Sequence, residues 1–257
     1  MTVPRIVATL SAGPADGIPL VLGPSLGTTT TLWSWARPAL AATRGVLAWD
    51  LPGHGASPPP TAPFTIDELA AGVLAAIDDA GIDRFALAGV SLGGLTSLAL
   101  ALAAPERASS VTMLASLPAM GQPDAWAERA ATARRQGTPA LVGGSASRWF
   151  APDFIAAAPA VAGRLLAELM DVDDEGYARC CEALGATDLT DRLGELRVPL
   201  ALVPGAEDAV ATVAAATAVA RAVPGARLHA LAGVGHLPPA ERPAEVADLI
   251  LDIAGGA

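Results

Sequence analysis

The stretch LAGVSLGGL, residues 87–95, decides the fold. It continues the apolar run begun at Phe85 and opens onto TSLALALAAPER, residues 96–107, which has the composition of a helix. A strand that stops at a serine and turns at once into a helix forces that serine into strained backbone geometry. Such geometry is tolerable only where the residues two positions to either side are small. Gly89 and Gly93 meet the demand on either side of Ser91. The turn lifts the hydroxyl clear of the sheet edge, and the helix beginning there offers unpaired N–H groups, Leu92 first, to a developing negative charge. With 26 glycines in 257 residues the five-residue pattern also arises by chance. Its position between a strand and a helix separates a nucleophile from an accident.

Outward from this turn, short apolar runs alternate with helical patterns. Strand-like segments lie at about 5–10, 19–23, 45–49, 84–89, 109–115, 199–203 and 226–231, and helix-like segments at roughly 32–43, 65–80, 92–104, 209–222 and 242–254. The alternation predicts an α/β fold with a mainly parallel central sheet flanked by helices. From about Pro118 to Arg197 no strand pattern occurs, and Trp126, Trp149, Phe150, Phe154, Met170 and Tyr177 stand among alanines, leucines and arginines. Some eighty structureless residues inside a compact domain are improbable. The expected organisation is therefore a core of residues 1–117 and 198–257 interrupted by an inserted helical lid, residues 118–197.

A serine hydroxyl needs a base, because unassisted it is almost wholly protonated at neutral pH. The chain has three histidines. His236, in LAGVGHLPPAERP, sits in a loop after the last strand-like run and before the last helix, where the nucleophile, acid, histidine order expects the base. His54, in DLPGHGAS, precedes the serine in a Pro/Gly turn and reads as a ring that fixes a tight loop by hydrogen bonding. His229 lies within a strand pattern. The imidazole requires a carboxylate to orient it, and the strand at 199–203 ends in a turn bearing Glu207 and Asp208. Asp208, farther into the loop, is the expected partner; Glu207 reads as solvated, and Asp50 is the reserve. A second oxyanion donor is expected from the loop LGPSLGTTTTLWSW, at the N–H of Leu26, with Ser25 a candidate contact to substrate.

Composition narrows the chemistry further. All sixteen basic residues are arginines, so the P-loop, Schiff-base and pyridoxal chemistries that require lysine are excluded. The three histidines show no paired spacing of a zinc site, and a mechanism with no metal or cofactor is expected. A net charge of −10 repels nucleic acid and anionic membrane surfaces, so the expected partner is a small-molecule substrate. No stretch approaches the roughly 18 apolar residues of a membrane span, and MTVPRIVATLSAG has neither the basic nor the apolar region of an export signal. A cytoplasmic location is expected. Cys180 and Cys181 are adjacent, which disfavours a disulfide between them, and they read as reduced, buried thiols.

Taken together these segments resemble the α/β-hydrolase superfamily over essentially the whole chain, and within it the 3-oxoadipate enol-lactonases. PSLGTTTTLW is similar to the oxyanion loop of that family, GVSLGGL to its nucleophile elbow, GAEDAVAT to its acid loop and GVGHLPPAERP to its histidine loop. The narrower likeness lies in GYARCCEALGATDL, residues 176–189, which resembles a Tyr-x-x-Cys-Cys stretch of the enol-lactonases, with ARRQG and SRWF upstream. The run Gly23-Pro24-Ser25 departs from that family's usual Ser-Asn-Ser. The resemblance implies the α/β-hydrolase fold and a Ser91, Asp208 and His236 triad. It implies hydrolysis of the enol-lactone of 3-oxoadipate, a late step of aromatic-ring breakdown through the β-ketoadipate route; the alternatives are a hydrolase of the same fold acting on another lactone, ester or thioester and, more distantly, a non-catalytic ligand-binding protein. The enol-lactone bears a carboxylate, so an acidic protein needs a local cation to hold it. Arg134, Arg135 and Arg148 are the candidates, with Trp126 and Trp149 shaping the pocket.

Overall fold

The computed structural model describes residues 2–14 and 17–255. Among them, seven strands form one sheet in the order β1-β3-β2-β4-β5-β6-β7. The strands are β1 (Ala8–Ser11), β2 (Leu20–Gly23), β3 (Val46–Trp49), β4 (Phe85–Val90), β5 (Ala108–Leu114), β6 (Leu200–Val203) and β7 (Arg227–Leu228). β1 pairs antiparallel with β3, and every other pairing is parallel. β2 through β6 are buried at every position, which is why they read as unbroken apolar runs rather than alternating ones. Edge strand β1 alone among the longer strands keeps exposed residues.

The helices are α1 (Arg37–Ala41), α2 (Ile66–Asp79), α3 (Leu92–Ala103), α4 (Pro123–Gln136), α5 (Val142–Trp149), α6 (Phe154–Ala157), α7 (Pro159–Met170), α8 (Asp174–Gly185), α9 (Val213–Ala222), α10 (Pro238–Glu241) and α11 (Pro243–Gly255). α3 leaves the end of β4 and lies on β2, β4 and β5 with α2 alongside, so nearly its whole surface is buried. α2 is amphipathic: Leu69, Ala70, Val73 and Ile77 face the core, and a reciprocal capping box of Thr65 and Glu68 starts it. α11 packs on α1 and β5. Among the described residues no helix is long and apolar enough to cross a membrane.

Between β5 and β6 the chain forms α4 to α8 and contributes no strand to the sheet, as the missing strand pattern at 118–197 predicts. The segment enters and leaves at one place. Ala119 and Asp188 form an isolated antiparallel bridge, and Leu189 N–H donates to the Pro118 carbonyl at 2.9 Å. α8 comes down on the core at two facing glycines: a Cβ on Gly176 would lie 2.7 Å from Gly53 Cα and 2.8 Å from the Pro52 carbonyl oxygen. The Asp173 N–H donates to the Gly53 carbonyl at 2.9 Å, while the Asp173 carboxylate caps α8 at Gly176 N–H. Cys180 and Cys181 are buried free thiols on this helix, and burial raises both pKa values, that of Cys181 to about 12.

Several boundaries differ from the sequence expectation, each for a local reason. The pattern at 32–43 is a 3₁₀ turn, Thr30–Trp33, followed by the separate short α1, in which Pro38 has no N–H to continue a preceding helix. The pattern at 209–222 becomes helical only at Val213, because the Asp208 loop takes up residues 209–211 and Thr212 caps the helix. Pro243 likewise divides the terminal helical region into α10 and α11. The strand expected at 226–231 is reduced to Arg227–Leu228 plus a single bridge from Leu231 to Gly205.

Two glycine substitutions test this packing. Gly176→Ala forces the two backbones apart and is expected to destabilise by roughly 1–3 kcal/mol. Gly163→Ala, on an exposed turn of α7 with open space around it, is expected to stabilise by about 0.5–1 kcal/mol. Urea midpoints of the two variants read both signs in one experiment.

Candidate active site

The turn between β4 and α3 holds Ser91 at φ 54° and ψ −116°, a conformation that costs a non-glycine residue on the order of 1–3 kcal/mol. Its surroundings explain how it persists. A Cβ on Gly89 would lie 2.2 Å from the Gly93 carbonyl carbon, and one on Gly93 would lie 2.5 Å from the carbonyl carbon of Gly23. Only hydrogen fits at either position, so β4, the start of α3 and the loop after β2 close on one another. Ser91 N–H donates to Leu114 and the Ser116 hydroxyl donates to the Ser91 carbonyl, tying the turn to the end of β5. Ser91 itself is 3% exposed and lines a cavity of about 560 Å³.

His236 lines the same cavity. Its Nδ1 stands 2.8 Å from Asp208 Oδ2, and the Asp208 side chain is fully buried. An ionised carboxylate only accepts, so Nδ1 donates and Nε2 is the acceptor nitrogen of the ring. Asp208 Oδ1 accepts from Val210 N–H at 2.7 Å, so both oxygens of the buried anion are used. The acid and histidine loops are joined by backbone bonds, from Ala206 N–H to Leu231 and from Glu207 N–H to Val234, each 2.9 Å. His236 and Ser91 line one cavity, and no hydrogen bond joins the Ser91 hydroxyl to the His236 ring among the described residues.

The remaining candidates have other duties. Glu207 is exposed. Asp50 is not an acid partner: its two oxygens accept from Thr30 and Ala56 N–H at 2.7 and 3.0 Å, bracing the loops after β2 and β3. His54, completely buried, makes the loop-fixing bonds that its turn context suggests. Its Nδ1 donates to the Pro52 carbonyl at 3.0 Å, and its Nε2 accepts from Gly27 N–H at 3.1 Å, with the ring stacked near Tyr177. His229 follows β7, bonded through its N–H to Leu202.

Leu26 lies in the loop after β2 and lines the cavity beside Ser25; Leu92 is the first residue of α3. Among the described residues neither backbone N–H donates to a protein acceptor. The loop is held from below by Gly93 N–H, which donates to Pro24, and by the Thr28 hydroxyl, which donates to Ser25. At Gly27, φ is +82°, and a Cβ would strike Leu169, Trp149 and Tyr177 of the inserted segment.

Trp126, Trp149 and Arg148 line the cavity as expected, but Arg134 and Arg135 do not. Arg134 faces α8, where it bridges Glu175 and Glu182, and Arg135 pairs with Glu128, which itself lines the cavity. The cation that the sequence reading missed is Arg129. It lies one turn along from Trp126 on the cavity face of α4, donating from Nε to the Tyr177 hydroxyl and from Nη2 to the Ser145 hydroxyl at 2.8 Å. Among the described residues no carboxylate lies within ion-pair distance of it, although Glu128, paired with Arg135, also lines the cavity. Helical spacing was the available signal: Ala125, Arg129 and Thr132 fall on one face, and Arg134 and Arg135 fall off it. Among the described residues no cluster of His, Cys, Asp or Glu side chains converges as a metal site.

A family model described as the alpha/beta hydrolase family matches residues 20–249. The chain is 37% identical over 202 residues to 3-oxoadipate enol-lactonase 2 of Acinetobacter baylyi, covering 79% of this chain and 76% of that relative. It is 30% identical over 201 residues to 3-oxoadipate enol-lactonase 1 of the same organism, covering 78% and 75%. The crystal structure of the enol-lactonase from Burkholderia xenovorans LB400 superposes with a TM-score of 0.93 at 32% identity, covering 97% of this chain and 96% of that one.

Burial lowers the His54 pKa from 6.5 to about 4, against smaller raising effects of the Pro52 carbonyl and Asp173. The unfolded chain therefore binds more protons between these values. The stability that His54 contributes is complete above pH 6.5 and is lost as pH falls towards 4, an effect of about 3 kcal/mol. In urea melts from pH 7 to 4, His54→Gln is expected to lose correspondingly less stability than the wild type; parallel losses would contradict the assignment.

Proposed function

The chain belongs to the alpha/beta hydrolase family, and on that premise we propose that it is a lactonase opening the enol-lactone of 3-oxoadipate to 3-oxoadipate in aromatic catabolism. The observation that carries this reading is one cavity lined by Ser91, by His236 with its buried Asp208 partner, and by Arg129, which among the described residues forms no ion pair with a carboxylate. The lactone assignment draws on the two enol-lactonases of Acinetobacter baylyi and the enol-lactonase of Burkholderia xenovorans.

In this mechanism the Ser91 hydroxyl adds to the lactone carbonyl while His236 Nε2 takes its proton. Asp208 stays ionised and stabilises the imidazolium through Nδ1. The N–H groups of Leu26 and Leu92 receive the negative charge that develops on the carbonyl oxygen, and preorganised donors of this kind are worth about 3–4 kcal/mol. Collapse of the tetrahedral adduct breaks the ring C–O bond. The departing enolate oxygen takes the proton from His236 and rearranges to the ketone, which makes ring opening favourable. Water, deprotonated by the same imidazole, then cleaves the acyl-enzyme.

The substrate carboxylate goes to Arg129, whose guanidinium is oriented by Tyr177 and Ser145. Long-range steering cannot attract an anion to a chain of net charge −10, so a local cation must do so. Ser25, Trp126, Trp149 and Arg148 complete the pocket wall. Residues 118–197 serve as a lid over the core formed by 1–117 and 198–257, with α4 and α5 supplying the wall that faces Ser91.

Turnover of synthetic enol-lactone tests the assignment. Ser91→Ala and His236→Ala are expected to lower kcat at least about a thousandfold. Arg129→Ala is expected to raise KM by roughly 10- to 100-fold, the loss of a charged hydrogen bond, and Arg134→Ala to leave KM within about twofold, as for an exposed ion pair. Efficient cleavage of simple aryl esters with no opening of the lactone defeats the substrate assignment.

A further inference from the structure

Glu241, the last residue of α10, is 5% exposed, and no cation lies within ion-pair distance of its carboxylate among the described residues. Burial raises its pKa. Both oxygens face backbone donors from different parts of the chain. Oε1 accepts from Gly235 N–H at 3.0 Å, one residue before His236, and Oε2 accepts from Ala151 N–H at 3.0 Å, two residues after Trp149 of the inserted segment. The Trp149 carbonyl in turn accepts from the N–H groups of His236 and Leu237 at 3.0 and 3.2 Å. A Cβ on Gly235 would lie 2.6 Å from Ala151 N, so the two stretches are already in contact and cannot slide past a side chain. Trp149 lines the substrate cavity.

We propose that Glu241 is a positioning residue that clamps the His236 loop to the Trp149–Ala151 turn, so that the cavity wall and the imidazole are set by one carboxylate. This rests on the reading of Ser91 and His236 as nucleophile and base. A carboxylate is required because two N–H donors converge on it. An amide has one acceptor oxygen and would turn an NH₂ group towards the second N–H. The clamp explains how a base carried on a loop after a two-residue strand keeps its register with a nucleophile on a different element.

The test is the rate at which a small fluorophosphonate, which carries no carboxylate for Arg129, labels Ser91 in the full-length protein. It is run with wild type, Ser91→Ala, Glu241→Gln and Glu241→Asp, alongside circular dichroism and the far-downfield proton resonance of His236 Nδ1–H. Glu241→Gln is expected to remain folded, to label roughly 10- to 100-fold more slowly, and to broaden or lose the downfield resonance through faster exchange with solvent. Glu241→Asp, which keeps the charge but cannot span both donors, is expected to be slowed as well and carries the comparison if the Gln variant does not fold. Ser91-dependent labelling that both variants leave within about twofold of wild type, with the resonance intact, overturns the clamp while sparing the triad. Labelling of Ser91→Ala at the wild-type rate overturns the triad reading and the clamp with it.

Discussion

The contact on which the site depends is steric: three glycines, Gly23, Gly89 and Gly93, let three backbone segments approach to distances that no side chain tolerates. Hydrogen in place of a methyl at these points brings the loop after β2 onto the first turn of α3. The same closeness holds Ser91 at a positive φ, with the amide of Leu92 at the helix start and that of Leu26 in the adjoining loop. The strain at Ser91 is small beside the burial around it, since β4 and α3 are almost wholly enclosed, and a well-packed surround maintains an unfavourable dihedral for as long as it stays packed.

Charge placement follows a similar economy. The buried Asp208 carboxylate is compensated by one backbone amide and one imidazole, and Glu241 by backbone amides. Buried His54 is kept neutral by its surroundings and serves as both donor and acceptor. Arg129 stands apart because its hydroxyl partners orient it without neutralising it. A cation left in that condition beside a cavity attracts an anion more strongly than one already paired, as Arg134 is with Glu175 and Glu182.

Much of this was legible in the chain because the signals were local. A glycine-flanked serine between strand and helix, an acidic turn after an apolar run and a histidine in a later Pro/Gly loop each announce themselves within a dozen residues. The approximate positions of all seven strands follow from apolar runs, and the eighty-residue interval without one marks the insertion. What escaped was set by contacts between distant segments. Arg129 and Arg134 sit on opposite sides of one helix, and the placement of α8 and the cavity decides which side meets carboxylates and which lines the pocket. Glu241 looks like an ordinary solvated residue of a Pro-rich turn until Ala151, ninety positions away, comes to lie against it. Element ends moved for comparable reasons, as at Thr212, where the demands of the acid loop postpone the helix.

The bridge between Ala119 and Asp188 brings the two ends of the insertion together. Because its two ends are stapled side by side, the sheet experiences the whole excursion as one short connection from β5 to β6, whatever its internal length, and the entropy of closing a longer loop grows only slowly. The helices can therefore vary in length at little cost to the sheet, provided that the Trp149–Ala151 turn and the Gly176 seam, through which the insertion touches the core directly, are retained.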